Sequence, residues 1–72
     1  MTQKDRILEY INQFGSITPM EAFSDLGITK LATRVSEMSR DGVRFNKKME
    51  NTINRFGEVC HYMRYTLEEE NE

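Results

Sequence analysis

The 72-residue chain reads as an α+β fold: three short helices, a brief extended link after the first of them, and a C-terminal β-hairpin. Three observations predict it. Capping residues and glycines recur at the spacing of short helices, in Thr2 to Gly15, Thr18 to Gly27 and Thr29 to Gly42. Within those segments the apolar residues fall three and four apart, and after Gly42 they begin to alternate with polar ones.

The first helix follows Thr2, whose hydroxyl can cap it; Asp5 lies in its first turn near the positive end of the dipole, and Gly15 closes it. Ile7, Leu8, Ile11 and Phe14 share one face, the signature of a scaffold helix. Ser16-Ile17 then makes an extended link long enough for one bridge in a small sheet. Thr18-Pro19-Met20-Glu21 is a capping box, with an N-cap hydroxyl, proline at the first helical position and glutamate at the third. Met20, Phe23 and Leu26 on this second helix are expected to pack against the first, together with Ile17 and Ile28.

Leu26-Gly27-Ile28-Thr29 ends the second helix, because glycine can take the left-handed conformation while Thr29 is placed to cap the next. The turn is three or four residues long. From Lys30 onward Leu31, Val35 and Met38 form one inward stripe, and Gly42 stops the helix. At about 100° per residue the opposite face carries Thr29, Thr33, Ser36 and Arg40, with Lys30 and Glu37 on one flank. This face has no large apolar side chain.

Val43 to Met49 alternates apolar and polar residues at its start, as does Val59 to Leu67, and both favour strand. Between them Asn51 to Glu58 has the Asn and Gly content of a turn region. Val43, Phe45, Met63, Tyr65 and Leu67 are placed to cover the open side of the helices. The far half projects Lys47, Lys48 and Arg55.

Two short helices, the second with a small, polar and basic outer surface, form the helix-turn-helix pattern of DNA readers, although the same caps and stripe would serve a plain packing hairpin. The net charge of −2 is unevenly spread. Residues 30–64 carry Lys30, Arg34, Arg40, Arg44, Lys47, Lys48, Arg55 and Arg64 against Glu37, Asp41, Glu50 and Glu58, a local surplus of +4. Phosphate contact needs a local positive field and not a positive total, so this asymmetry suits DNA. Glu68, Glu69, Glu70 and Glu72 make the end acidic, and 68–72 is expected to be a solvated, disordered tail on a domain of residues 1–67.

No apolar run approaches bilayer length and the N-terminus leads straight into a charged helix, so a cytoplasmic protein is expected. Cys60 is the single cysteine and His61 the single histidine. A lone cysteine cannot make an internal disulfide, and one histidine beside it, pointing to the opposite face of a strand, cannot complete a tetrahedral metal site, so no disulfide, metal or cofactor is expected. His61 has no acid partner at fixed spacing, no serine lies in a nucleophile turn and the glycines form no phosphate loop, so no enzyme is expected.

Helix, short strand, helix, helix, strand, strand is the complete winged-helix order. Gly15-Ser16-Ile17-Thr18-Pro19-Met20-Glu21-Ala22, Leu26-Gly27-Ile28 and Leu31 to Met38, with Gly42 and the closing Arg64-Tyr65-Thr66-Leu67, resemble the small winged helix-turn-helix proteins of phages and bacterial mobile elements. The resemblance runs from about Lys4 to Leu67. It implies a double-stranded DNA binder, a transcriptional regulator or recombination accessory factor, with the helix at residues 30–40 in the major groove and residues 46–58 as a wing against the backbone.

On that reading Lys30, Thr33, Ser36, Glu37 and Arg40 reach base edges or flanking phosphates, while Lys47, Lys48 and Arg55 contact phosphate or approach the minor groove. Glu37 has two readings: it can accept from a cytosine amino group, or pair with Arg34 one turn back, which the spacing favours. Arg34 lies nearer the apolar stripe and is read as structural. Arg44 and Arg64 either add to the positive field or solubilise the sheet. A short site implies dimerisation or tandem occupancy, with exposed Tyr62 or Phe56 as the seam of a homodimer. The other class of function is a protein-binding winged helix, such as a phage inhibitor docked on a host enzyme or RNA polymerase, which the acidic N-terminal part and tail suit.

Overall fold

A computed structural model describes residues 1–68 as helices α1 (Gln3–Phe14), α2 (Pro19–Leu26) and α3 (Leu31–Arg40), then strands β1 (Phe45–Ile53) and β2 (Val59–Leu67). The helices start and stop where local chemistry directs. Thr2 and Asp5 bond reciprocally at the head of α1, Asp5 N–H to Thr2 Oγ1 at 3.1 Å and Thr2 N–H to Asp5 Oδ2 at 3.2 Å. The Thr2 hydrogen bonds hold the Asp5 carboxyl below its ordinary range. Thr18 and Glu21 repeat the box on α2, with Pro19 at the first helical position.

The third helix departs from this pattern. Its N-cap is Lys30, one residue later than the Thr29 expected there, and no side chain caps it. A lysine ammonium has no lone pair to offer a backbone N–H. At its other end Gly42 (φ 105°) ends the helix as expected, with Val43 N–H donating to Met38 O at 3.0 Å and Gly42 N–H to Ser39 O at 3.2 Å, a Schellman closure.

Ile7, Ile11, Ile17, Ile28, Leu31, Val35 and Met38 form the core with Tyr10, Ala22 and Tyr65. Three expected core residues lie outside it. Phe14 is 62% exposed and packs its ring on Tyr10 at 4.7 Å between centroids. Met20 and Phe23 are also exposed, because the inward line of α2 is Ala22 with half-buried Leu26, one turn apart, and both larger side chains fall on its flank. Tyr10 is buried instead of Phe14, since its hydroxyl finds an acceptor in Asp25 Oδ2 at 2.6 Å.

The hairpin is joined to the helices by the Ser16-Ile17 link. Ile17 and Tyr65 exchange backbone hydrogen bonds, both 2.9 Å, so Ile17 adds a one-residue third strand beside β2. The β1 to β2 register is unbroken from Phe45 opposite Leu67 to Ile53 opposite Val59. Strand β1 thus runs through Asn51, Thr52 and Ile53, which were expected in the turn. The turn is confined to residues 54–58, where the Asn54 side-chain oxygen accepts from Phe56 N–H at 2.9 Å and Glu58 N–H at 3.0 Å. Glu68, the first residue of the expected tail, donates its N–H to Arg44 O at 3.0 Å; the rest of that expectation, 69–72, lies outside the described residues.

Ile17 is fully buried at this junction. Ile17→Ala should cost about 2–5 kcal/mol, and a chain this short should be largely unfolded at 37 °C, read by circular dichroism.

The Asp25 hydrogen bond, with burial, pushes the Tyr10 hydroxyl up to about 12. The folded state therefore holds this proton more tightly than the unfolded chain, and the stabilisation is complete below the ordinary tyrosine value and lost as pH rises through 12. Tyr10→Phe should remove the component near 12 from an ultraviolet titration. It should also flatten the loss of stability over that alkaline window.

Candidate nucleic-acid interface

Helix α3 turns Leu31, Val35 and Met38 into the core, which fixes its other face outward. Lys30, Thr33, Ser36 and Arg40 are all exposed, and their side chains make no hydrogen bond or ion pair among the described residues. The start of this helix has no side-chain cap. Its first-turn N–H groups carry the partial positive charge of the dipole, and no carboxylate lies in that turn to offset it.

Glu37 is held differently. It is half-buried and accepts from Arg34 NH1, and that hydrogen bond, with the charges of Arg34, Lys4 and Arg40, lowers its carboxyl below the ordinary range. Arg34 also donates from Nε to Gln3 Oε1 at 3.1 Å, tying α3 to the start of α1. Of the two readings of Glu37, the intrahelical pair is the one formed. Lys4 lies 3.7 Å from Asp41 on the same side of the molecule.

The hairpin cations are exposed but do not form one patch. Lys47 is opposite Tyr65 and Lys48 opposite Arg64, and consecutive strand residues point to opposite faces. Lys47 shares a face with Tyr65, which enters the core, and Lys48 shares the other with Arg64 and Glu50. Arg55 is in the turn.

Arg64 is not a free surface charge. Its Nε donates to Glu50 Oε1 at 2.7 Å, its NH1 donates to Ser16 Oγ at 2.8 Å, and the same NH1 lies 3.6 Å from Glu21 Oε1. One guanidinium thus joins the hairpin, the link and the capping-box carboxylate of α2. The Arg64 hydrogen bond lowers the Glu50 carboxyl below its usual range. Nothing local in the sequence signals this cluster, since the partners lie up to 48 positions from Arg64; only the fold brings them together. Cys60 is half-buried, while His61 is exposed and bonded to Asn51 across the hairpin. Among the described residues no three His, Cys, Asp or Glu side chains are grouped to hold a metal, and no helix is long and apolar enough to cross a membrane.

Comparison with known families follows this geometry: a family model described as a winged helix-turn-helix domain matches residues 2–70. Neither the curated proteins nor the solved structures contain a match.

Replacing Arg64 by methionine should lower the melting midpoint by several degrees at neutral pH, leaving Glu21 and Glu50 without their shared cation. A depressed carboxyl contributes stability above its ordinary pKa and loses it as pH falls through the depressed value. The gap between parent and variant should therefore close as melts are taken to acid pH.

Proposed function

The chain belongs to the winged helix-turn-helix domain family, and from that premise we propose that it binds double-stranded DNA through α3. The observation that carries the proposal is the row Lys30, Thr33, Ser36 and Arg40, solvent-facing and unpaired among the described residues, on a helix anchored from behind by Leu31, Val35 and Met38. Arg40 has the donor fork for guanine, and Thr33 and Ser36 have hydroxyls for base or phosphate. Lys30 and the uncapped N–H groups beside it suit a backbone phosphate. Glu37 serves by holding Arg34. The hairpin is the wing, and one of its two oppositely facing lysines, Lys47 or Lys48, supplies a phosphate contact from it together with Arg55 in the turn.

We read the biological role as transcriptional regulation or an accessory part in recombination, in a phage or mobile element and in the cytoplasm, without enzymatic activity. The second reading, docking on a host protein, is favoured by one observation, the exposed Phe14, Met20 and Phe23 on α1 and α2.

Fluorescence anisotropy with random duplex DNA at two salt concentrations separates the readings. A DNA binder loses affinity steeply with salt; no binding at low salt would leave the protein-docking reading. With a selected site, Thr33→Ala and Arg40→Ala should relax sequence preference by about 1–3 kcal/mol. Because Lys47 and Lys48 face opposite ways, the double alanine variant should weaken all sequences alike and reduce the salt slope by roughly one unit. Unchanged binding in all these variants would refute the assignment.

A further inference from the structure

Among the described residues nothing pairs with the outer edge of β1: the sheet order is β1-β2, and Ile17 occupies the far side of β2. The parity of the ladder fixes which groups line that edge. Tyr65 exchanges its backbone bonds with Ile17, so its N–H and C=O point away from β1 and its opposite number, Lys47, is in a non-hydrogen-bonded pair. Phe45, Lys47, Met49, Asn51 and Ile53 therefore direct their N–H and C=O groups outward. Of the devices that usually blunt an edge, β1 has no proline and no bulge and runs for nine continuous residues, and its edge charges are Lys47 and Lys48 with Glu50 beside them. On its core-facing side the distal half bears Met49 (56% exposed), Ile53 (69%) and, opposite Ile53, Val59 (59%).

We propose that a second copy of the chain pairs with this edge, β1 antiparallel to β1 about a twofold axis at Met49, to form a four-stranded sheet. The outward groups demand that odd-numbered residues pair with odd-numbered ones, which leaves few registers. Centring on Lys47 or on Lys48 puts each lysine against itself, and centring on Glu50 puts two glutamates together, all unfavourable. Centring on Met49 puts Lys48 opposite the partner's Glu50 and Glu50 opposite the partner's Lys48. It also puts Met49 against the partner's Met49, Phe45 against the partner's Ile53 and Lys47 against the partner's Asn51.

Across the new sheet the apolar row becomes Leu67, Phe45, then the partner's Ile53 and the partner's Val59. The exposed tip of each hairpin thus continues the half-buried base of the other. The interface is isologous, so it closes at two copies. It stands on the β1 edge alone and is independent of what α3 binds.

Sedimentation equilibrium of the full chain should give twice the monomer mass. Met49→Pro removes an outward N–H and no β1 to β2 bond, and should return the monomer with unchanged circular dichroism. Lys48→Glu should also give the monomer, because it sets a glutamate opposite the partner's Glu50. In a Cys60→Ser background, Met49→Cys should form an intermolecular disulfide on oxidation, since a hydrogen-bonded pair places its Cα atoms about 5.5 Å apart, within bridging range. Asn51→Cys should not, because its two copies would lie about 13 Å apart along the strands at ~3.3 Å per residue. A parent that sediments as a monomer, or equal cross-linking at both positions, overturns the proposal.

Discussion

Ile17 and Tyr65 exchange two backbone hydrogen bonds between side chains that are both buried, and this contact joins the hairpin to the helices. A two-stranded hairpin is at best marginal alone in water. Here its base receives a third strand of one residue and an apolar floor, so the distal half can extend beyond the core. The link that supplies Ile17 is only as long as the gap between Gly15, which ends α1, and Thr18, which starts α2. The placement of both helices and of the wing is therefore set by a few residues whose backbone has little freedom.

Arg64 acts on the face of the sheet opposite the one that enters the core. It brings together Glu50 from the hairpin, Ser16 from the link and Glu21 from the α2 cap. Glu21 also accepts from the Thr18 N–H and hydroxyl, so one carboxylate satisfies the helix start and meets the guanidinium as well. Half-buried pairs of this kind gain only modestly from attraction, and their larger effect is geometric, because each bond constrains a different element. The electrostatic result is that a formal cation of the hairpin is neutralised where it stands, and the positive field rests on fewer residues than the sequence count implies.

Local signals in the sequence were reliable where the physics is local. The capping box at Thr18, the stop at Gly42 and the Leu31, Val35 and Met38 stripe each depend on residues within two turns, and each forms as read. The failures are of another kind. Thr29 had the chemistry of a cap but sits one position too early, because Ile28 is drawn into the core and Lys30 becomes the boundary. Phe14, Met20 and Phe23 were assigned inward by hydrophobicity, but one small buried residue, Ala22, defines the α2 contact, and Tyr10 has a polar partner that makes its burial favourable. Arg64 could not be assigned from spacing, since its partners come from three elements. Of the candidate interface, the outer face of α3 was legible and the division of Lys47 from Lys48 was implicit in strand alternation.

That division bears on how the wing could serve the proposed DNA contact. A duplex approaching from one side meets one of the two lysines on the strand, with Arg55 at the turn as a second cation. The other lysine is oriented toward the Arg64 and Glu50 side, where its charge lowers the Glu50 carboxyl further. By contrast Arg40, Thr33 and Ser36 stand on one line of α3, and Lys30 heads it beside uncapped N–H groups. Helix α3 thus concentrates donors while the hairpin disperses them. A wing with dispersed charge and an edge on which Lys48 and Glu50 can meet their counterparts in a second copy is better matched to the proposed pairing than to carrying the main phosphate contact, which leaves α3 as the surface on which the proposed affinity for DNA rests.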